Sequence, residues 1–549
     1  MNKGWRVRGL LAGTVLGLFA LSGAACTAPQ PAPVTGGAAT GPRQGGVLRL
    51  RSTTDLTDFD ISTAPKTSAR SIATYVYNRL LTNKTGEGVK YESFTLEPEL
   101  AERWEIGPDA KSFTFHLRKG VRFQDVAPVN GRELSAADVQ WSFEYWSRGT
   151  DFHGKKLPAS QYSWLFENLD RVDTPDPLTA VVRFNQPFAP FVAYAASQSN
   201  PIVPHEIFEA DGDLKSHAVG TGPFMLDSAA SQTGSRWVFK RNPGYWKQGR
   251  PYLDGLQELV IPADATAQAA FRTGQMDYLD APSCRDAEEM RKAFPAASYF
   301  EGVSVAPINI YINTRVAPLD DVRIRRAFAL GISRDDIIKT LQCGKGEWAL
   351  SGALGDTFSQ DERHKLLRYD PAEAKRLVAE AGFPAGVDVD WLYTKEYGDL
   401  YESTITLIQS QLKQANINLR LKATTRADVQ AVRRTADKHM LTATTKTLEP
   451  DAESFLYQVF HPKSTNNYGG VNDPKLTGLI EGQRREPDVT KRRNLIRDAV
   501  SYINGDMVYG LALTYDLDYK FWHSYVKDLS PNFWVGQYGL TVDTIWLNK

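Results

Sequence analysis

The sequence predicts a mixed α/β protein that folds into two or three domains. Apolar residues with helical spacing and with strand spacing alternate irregularly along the chain, which is typical of sheets joined by helical crossovers. Roughly 500 residues follow a flexible N-terminal segment, and a single hydrophobic core stops growing at about 250–300 residues. No repeat with a period of about 20–50 residues is visible, so solenoids and propellers are excluded.

Residues 1–26 have the pattern of an export signal. A positively charged start precedes an apolar stretch of thirteen residues, Gly9–Leu21, which is too short to span a bilayer. Small residues then lead to Cys26, as in the lipobox of bacterial lipoproteins, although Gly23 stands where leucine is usual. This pattern predicts lipidation of Cys26, and conventional cleavage after Ala25 or Ala28 is the alternative.

Residues 27–45 are rich in Pro, Ala, Gly and Thr and lack periodicity, which predicts a flexible tether. We therefore expect a mature protein that is anchored by lipid outside the cytoplasmic membrane. The chain balances 64 basic residues against 64 acidic ones, without a long run of either sign. That balance argues against a nucleic-acid partner.

The folded part begins with a predicted strand at Gly45–Leu50. Apolar residues at helical spacing predict a helix over Ser71–Leu81. Ser112–Arg118 alternates apolar and polar residues, which indicates a half-buried strand. Ser135 is then expected to cap a helix that runs to Trp146.

Residues 220–261 predict a compact antiparallel meander. The run opens with Gly-Thr-Gly-Pro, which can reverse the chain sharply. Short strands are expected at Phe224–Leu226, Trp237–Phe239 and Leu256–Ile261, with large aromatic residues near the turns. Nothing in this run is a nucleophile, a metal ligand or a phosphate cradle.

Several segments, in order, resemble the extracellular solute-binding proteins of family 5, which are peptide-, nickel- and oligosaccharide-type receptors of ABC importers. Residues 220–261 resemble the signature block of that family, and residues 100–146 resemble another strong segment, with an insertion at Val126–Glu133. Further similarity is found in residues 269–279, 312–338, 369–384 and 467–503. The resemblance covers the chain from about Gly45 to its end.

The resemblance implies a two-lobed periplasmic-binding-protein-like fold of the α/β class, with a hinge and a ligand cleft between the lobes. The larger lobe maps to residues 46–73, 190–303 and 509–549, its extra subdomain to 74–189, and the inserted second lobe to 304–508. The chain crosses between the lobes near Gly302–Ile308 and Met507–Leu513, and both crossings are rich in strand-forming residues.

The resemblance also implies a monomeric binding protein that captures a small solute by lobe closure and delivers it to an ABC permease. A short peptide is the leading ligand, and an oligosaccharide or another polar solute is the alternative. An extracytoplasmic hydrolase is a remote alternative, because the eight histidines are scattered and no nucleophile elbow, phosphate loop or zinc motif occurs. A sensory or chaperone-like binding protein on the same fold stays open. We expect no catalytic residue, no metal site and no cofactor.

Peptide receptors of the family hold the free amine of the peptide with an aspartate that lies a few residues before a proline. Lys446 stands about where that aspartate would fall, and an ammonium ion would be repelled there. Glu449 or Asp451 can take the role if the alignment shifts by a few residues. The structural alternatives are a solvated loop lysine for Lys446 and a helix N-cap for Asp451.

Aromatic side chains offer a second set of candidate ligand contacts. Trp391 and Tyr393 lie two apart on a predicted strand and therefore on one face, where their rings can stack on a ligand. Tyr468, Tyr397 and Trp534 are further candidates. The stripe that contains Trp391 also continues through two valines, which equally suits a hydrophobic core.

Cys284 and Cys343 remain after Cys26. In an oxidising compartment they can pair, and on the chain-entropy model such a disulfide stabilises by about 4 kcal/mol. Two separate buried thiols are the alternative, because sequence does not place the two Cα atoms within bridging distance.

Overall fold

The structure is a computed structural model, and it describes residues 41–56, 58–61, 72–147, 156, 163–354, 357–435, 440–445, 449–535 and 539–549. Contacts divide the chain into two units, residues 1–42 and residues 43–549, and the fold below is that of the second unit. Within the described ranges, every helix is too short or too polar to traverse a bilayer. The predictions for residues 1–40, including that for Cys26, lie outside the described residues.

Strands and helices alternate throughout. The strands are β1 (Val47–Ser52), β2 (Leu81–Asn83), β3 (Leu96–Pro98), β4 (Ala101–Ile106), β5 (Ser112–Leu117), β6 (Leu169–Asp176), β7 (Thr179–Phe184), β8 (Phe224–Leu226), β9 (Arg236–Arg241), β10 (Gly255–Val260), β11 (Tyr278–Ala281), β12 (Ser298–Val303), β13 (Ile308–Ile312), β14 (Glu347–Trp348), β15 (Val387–Tyr393), β16 (Ile417–Ala423), β17 (Leu441–Thr445), β18 (Gly510–Ala512), β19 (Thr514–Tyr515), β20 (Leu517–Trp522), β21 (Val526–Lys527) and β22 (Trp546–Leu547). The α-helices are α1 (Ala136–Ser147), α2 (Phe191–Tyr194), α3 (His205–Asp211), α4 (Asp264–Arg272), α5 (Cys284–Ala293), α6 (Val322–Leu330), α7 (Arg334–Leu341), α8 (Gln360–Leu366), α9 (Pro371–Glu380), α10 (Asp399–Leu412), α11 (Arg426–Arg433), α12 (Ala452–Phe460), α13 (Pro474–Arg485) and α14 (Val489–Ser501). Short 3-10 helices occupy Ser163–Phe166, Lys395–Tyr397 and Lys413–Ala415, and a π-helix follows at Tyr502–Met507.

The predicted meander forms one sheet of the first hydrophobic core. Its strand order is β1-β10-β9-β8, with β1 parallel to β10 and the remaining pairs antiparallel. The three strands that the sequence predicted there are confirmed, with ends that differ by at most three residues. The first core draws its buried residues from 48–278 and from 526–547.

Gly220 and Gly222 allow this sheet to meet the segment before β2 backbone to backbone. The amide of Gly222 donates to the carbonyl of Val76 at 2.8 Å. A Cβ atom at Gly220 would lie 2.2 Å from that same carbonyl oxygen, and one at Gly222 would lie 2.5 Å from the Val76 carbonyl carbon. The close approach therefore requires glycine at both positions.

The prediction of a helix over Ser71–Leu81 is wrong. The described part is helical only for residues 72–75, and β2 begins at Leu81. The carbonyl of Val76 is bonded to Gly222 rather than to a later turn, and the side chains of Asn78 and Arg79 bond Glu99. These long-range bonds replace the local helical ones.

A second antiparallel sheet, in the order β4-β5-β7-β6, packs with α1 in the same core. The strand predicted at Ser112–Arg118 is β5, and its apolar residues Phe113, Phe115 and Leu117 are buried. The predicted helix up to Trp146 is α1.

The second core lies between residues 310 and 513 and surrounds a mixed five-stranded sheet in the order β16-β15-β17-β13-β18. The parallel pairs β15–β16 and β15–β17 are joined through helices, as crossover connections require. We call the part of the chain between the two crossings described next the inserted lobe, and the remainder of the second unit the larger lobe.

Two antiparallel segments join the lobes and form the hinge. Val303 of β12 pairs with Leu517 of β20, and the Ser304 amide donates to the Asp516 carbonyl at 2.8 Å. The ladder continues where the Leu513 amide donates to the Ile308 carbonyl at 3.0 Å. A two-stranded ribbon of this kind permits rotation of one lobe against the other, since few residues cross between them.

Cys284 and Cys343 form a disulfide, with Cα atoms 6.1 Å apart. It ties the start of α5, which packs against the sheet β11-β20-β12, to the loop after α7 of the inserted lobe. The bond therefore links the two lobes near the hinge, and it resolves the alternative of two separate thiols.

Candidate functional site

A cavity of about 830 Å³ lies beside the hinge, with walls from both lobes; we call it the cleft cavity. The larger lobe supplies α4 and the residues around the start of α5, and the inserted lobe supplies the run from Tyr397 to Thr404. The hinge forms its floor through Ala306, Ile308, Thr514 and Asp516. A ligand held here would touch both lobes and both hinge segments.

The hinge ribbon separates this cavity from a second one of about 550 Å³. Val303, Val305 and Tyr515 line the second cavity, whereas the alternate residues Thr514 and Asp516 line the cleft cavity. The difference follows from the strand pattern, in which successive side chains point to opposite faces. Trp534, one of the further aromatic candidates, lines the second cavity and donates its indole N–H to the Glu92 carbonyl at 2.9 Å.

Carboxylates outnumber cations in the wall of the cleft cavity. Four aspartates line it: Asp264, Asp286, Asp399 and Asp516. Among the described lining residues, Arg285 is the single basic one. Asp264 is exposed and pairs with Arg51 at 2.7 Å. The guanidinium of Arg285 donates to the Thr340 carbonyl at 3.3 Å and is itself exposed. The cavity therefore favours a ligand with positive charge.

Asp516 differs from the other three carboxylates in its setting. It lies in the hinge, is half-buried, and accepts a hydrogen bond from the Leu517 amide at 2.8 Å. Burial raises the pKa of Asp516 to about 6, and the nearby Asp518 carboxylate adds to that rise. No ion pair of the described residues involves Asp516.

Two tyrosines form the inserted-lobe wall of the cleft cavity. Tyr397 and Tyr401 pack edge to face with ring centroids 5.2 Å apart. The Tyr401 hydroxyl donates to the Ala443 carbonyl of β17 at 3.4 Å, and Arg426 lies 5.5 Å from the Tyr397 ring centroid. Tyr397, one of the further aromatic candidates, is half-buried at the cavity wall, and its contact with a ligand stays a prediction.

Direct contacts also join the larger lobe to the inserted lobe. Ser197 and Ser199 both donate to the Glu449 carboxylate, the second at 2.8 Å. The Tyr194 hydroxyl donates to Glu453, which is fully buried and lies 3.0 Å from the Arg484 Nε. We call these residues the interlobe contact.

Arg484 extends the interlobe contact to a second carboxylate. Its Nη1 lies 2.6 Å from Glu167, and the Tyr457 hydroxyl donates to the same carboxylate at 2.5 Å. Burial raises the pKa of Glu453, while Arg484 and the Tyr194 hydroxyl act in the opposite sense. The structure therefore shows the lobes held together by charge-assisted hydrogen bonds.

Lys446 lies outside the described residues, and Asp451 has a structural role. Asp451 caps α12 by accepting from the Glu453 amide at 2.9 Å, and its carboxylate pairs with Arg492 at 2.9 Å. Glu449, which the sequence offered as an alternative, bonds the two serines of the larger lobe instead. β17 ends at Thr445, whose backbone pairs with Ile308 of the cleft floor.

The aromatic candidates are distributed between core and surface. Trp391 is fully buried in the second core, and Tyr393, which is 7% exposed, donates to Glu402 at 3.2 Å. Tyr468 packs edge to face on Tyr311 and donates to Asn466 at 2.8 Å. None of these three belongs to the lining of either hinge cavity.

Sequence reasoning missed Asp516 and Glu453. Asp516 stands inside a strand-forming run, Leu511–Trp522, where two carboxylates, Asp516 and Asp518, between apolar residues are a local inconsistency that points to function. Glu453 gave no such signal, because an acidic residue in the first turn of a helix is ordinary. Among the described residues, no group of three or more His, Cys, Asp or Glu is placed to hold a metal ion.

Comparison with known proteins identifies the relatives of this chain. The profile of the bacterial extracellular solute-binding proteins, family 5 (middle part), matches residues 95–467. A heme-binding protein A of Haemophilus influenzae is 32% identical over 346 residues, which cover 59% of this chain and 60% of that protein. A dipeptide-binding protein of Escherichia coli is 30% identical over 349 residues, 61% of each chain. The chain thus matches about three fifths of the length of these curated relatives.

The fold is shared with solved structures over a longer span. A periplasmic binding protein from Agrobacterium tumefaciens R10, AgaA, solved in complex with agropinic acid, superposes with a TM-score of 0.76. The alignment covers 92% of this chain and 99% of that one at 24% sequence identity. The two-lobed architecture with a cleft between the lobes is therefore confirmed.

Proposed function

The chain belongs to the bacterial extracellular solute-binding proteins of family 5, and from that premise we propose that it is the extracytoplasmic substrate-binding component of an ABC importer. It captures a small solute between its lobes and delivers it to a membrane permease. The two curated relatives are a heme-binding protein and a dipeptide-binding protein.

One observation carries this proposal: the cleft cavity has one wall from each lobe and a floor made by the hinge. Rotation about the two hinge segments would open and close that cavity without disturbing either core, within the limit set by the Cys284–Cys343 disulfide, which ties lining segments of the two lobes. Closure removes the ligand from water and strengthens each hydrogen bond that is made to it. The interlobe contact supports the same motion, because its donors and acceptors lie on opposite lobes.

A short peptide is the leading ligand. The dipeptide-binding relative supports it, and the excess of carboxylates in the cavity wall suits a free ammonium group. An oligosaccharide or another polar solute is the second candidate, since the half-buried Tyr397 offers a flat ring at the wall.

Further parts of the proposal concern anchoring and boundaries. The protein would be lipidated at Cys26, tethered through residues 27–45 and monomeric. The lobes would divide as the sequence predicted, at about residues 304 and 508, while the hinge bonds fall at Ser304–Ile308 and Leu513–Asp516. Ligand contacts at Lys446, Asp451, Tyr393, Trp391 and Tyr468 stay predictions.

The test is ligand-dependent stabilisation without turnover. Purified protein is unfolded, the released small molecules are identified by mass spectrometry, and the same compounds are added back to stripped protein. A ligand at 100 times its Kd stabilises the folded state by about 2.7 kcal/mol, and the compound should be recovered unchanged. Consumption of the compound would instead indicate the hydrolase.

Two hinge variants locate the binding site. Ala306→Trp places an indole on the floor of the cleft cavity, and Val303→Trp places one in the cavity on the opposite face. We expect only the first to abolish the ligand-dependent shift while both keep a cooperative melting transition. Loss of the shift in Val303→Trp alone would place the ligand on the other face and refute the proposed site.

A further inference from the structure

Within the proposed function, on which this inference rests, we infer that the cargo carries a cationic nitrogen, an ammonium or a guanidinium group, and that the Asp516 carboxylate in the hinge receives it. The cargo class would then be amines, including peptides with a free amino group or a basic side chain, and neutral sugars would be excluded.

Two hydrogen bonds fix the position of Asp516, one to its backbone and one to its side chain. Its backbone carbonyl accepts from the Ser304 amide at 2.8 Å, which holds the residue in the hinge ladder. Its Oδ1 accepts from the Leu517 amide at 2.8 Å. Asp516 lines the cleft cavity, so a ligand held there would lie beside it.

The charged groups around Asp516 do not neutralise it. Those on the adjoining strand β20 and those lining the cavity from the other elements are Asp518, Tyr519, Lys520, Asp264, Arg285, Asp286 and Asp399. Lys520 pairs with Asp280 at 2.9 Å, Asp264 pairs with Arg51, and Arg285 donates to a backbone carbonyl of the inserted lobe. Each remaining member of this set is an acid.

Asp518 provides an internal comparison two residues further along the chain. Its carboxylate accepts from the Tyr91 hydroxyl at 2.6 Å and lies near Lys520, so the protein supplies both a donor and a cation. The described residues supply Asp516 with neither a side-chain donor nor a cation. A carboxylate that is half-buried without a counter-charge is costly, and a cation enclosed on closure would remove that cost.

Burial raises the pKa of Asp516 to about 6 in the ligand-free protein, and this fixes the sign of a pH effect. A bound cation requires the carboxylate, so the ligand competes with a proton. Affinity is then constant above about pH 6 and falls by about tenfold for each pH unit below it.

The binding experiment uses four tripeptide probes: Ala-Lys-Ala, Ala-Gln-Ala and the N-acetylated form of each. They carry two, one, one and no cationic nitrogens. Affinities for ligand-stripped protein are measured by calorimetry at pH 7.5. We expect N-acetyl-Ala-Gln-Ala to bind at least about tenfold more weakly than the other three, since hydrogen bonds between charged groups have about that effect.

Two variants separate Asp516 from the general charge of the cavity. Asp516→Asn should weaken Ala-Lys-Ala about 10- to 100-fold and abolish the pH dependence between pH 5 and 7.5. Asp264→Asn removes a carboxylate of the same cavity that is paired with Arg51, so any loss of affinity should leave the pH dependence below about pH 6 in place. An unchanged pH profile in Asp516→Asn would refute the inference.

A third variant tests whether Lys446 is the partner of Asp516. Lys446 directly follows Thr445 in sequence, and the backbone of Thr445 pairs with Ile308 of the cavity floor. Lys446→Gln should leave the pH profile as it is; loss of the profile would mean that Asp516 serves Lys446 instead of the cargo. Equal binding of all four probes, or a cargo of neutral sugars, would refute the inference of a cationic cargo and leave the receptor function intact. If no probe binds and no small molecule is released on unfolding, the receptor function itself fails.

Discussion

Replacing Asp516 by asparagine should stabilise the ligand-free protein at neutral pH. The pKa of the carboxyl is raised from its usual 3.8 to about 6, so the folded protein binds this proton more tightly than the unfolded chain does. Stability therefore falls as pH rises from about 4 to about 6, and the deficit is complete above that. Asparagine has the same shape, can accept from the Leu517 amide in the same way, and carries no charge.

The magnitude follows from the size of the shift. Each pKa unit corresponds to about 1.36 kcal/mol, which gives at most about 3 kcal/mol for this shift. Asp516 keeps some contact with solvent, so we expect about 1–2 kcal/mol. With an unfolding entropy of about 1 kcal/mol/K for roughly 500 residues, that is a rise of about 1–2 °C in Tm.

The assay is scanning calorimetry of ligand-stripped wild type, Asp516→Asn and Asp264→Asn at pH 7.5 and pH 4. The gain in Tm for Asp516→Asn should be present at pH 7.5 and shrink toward zero at pH 4, where the wild-type carboxyl is protonated. Asp264→Asn should show no gain at either pH, because its carboxylate is exposed and pairs with Arg51. A gain of the same size at both pH values, or a loss at pH 7.5, would refute the electrostatic reasoning.

Three other changes test the scaffold. Gly222→Ala should destabilise the protein by about 1–3 kcal/mol, since its Cβ would lie 2.5 Å from the Val76 carbonyl carbon. The matched control in thermal melts is Gly244→Ala, whose Cβ would lie 3.5 Å from the nearest atom. Equal effects of the two substitutions would contradict the close-approach argument. Removing the disulfide with Cys284→Ser and Cys343→Ser should lower the free energy of unfolding by up to about 4 kcal/mol on the chain-entropy model. The measurement is the change in Tm under oxidising conditions, and an unchanged Tm would mean that the disulfide does not stabilise the fold. Glu449→Gln removes the charged acceptor of Ser197 and Ser199, so ligand-free protein should show a larger radius of gyration in X-ray scattering, whereas Glu380→Gln on an exposed helix should not.

Sequence alone was sufficient where the determining interactions are local. The three strands of residues 220–261 follow from turn residues and alternation within the segment itself, and β5 follows from the alternation of Phe113, Phe115 and Leu117. The helix expected over Ser71–Leu81 failed because the Val76 carbonyl bonds Gly222, which lies far away in sequence. Local periodicity carries no information about such a partner.

The candidate site was harder to predict for the same reason. The family resemblance directed attention to Lys446–Asp451, and Tyr397 was included among the aromatic candidates, but the lining of the cleft cavity comes from several separate parts of the chain. The disulfide also depended on distance in space, so the sequence could only offer both states of Cys284 and Cys343. Asp516 was overlooked because its chemistry depends on what surrounds it after folding.

The contrast between Asp516 and Asp518 links stability to function. Both carboxyls are removed from water in the same short segment, and burial raises the pKa of each. Asp518 receives the Tyr91 hydroxyl and lies near Lys520, which offsets its burial within the larger lobe. Asp516 faces the cavity that both lobes enclose, where a comparable partner would have to arrive with the ligand. Stability alone would favour a neutral residue at this position, and the proposed cation, bound and released with the ligand, accounts for a carboxylate in the hinge.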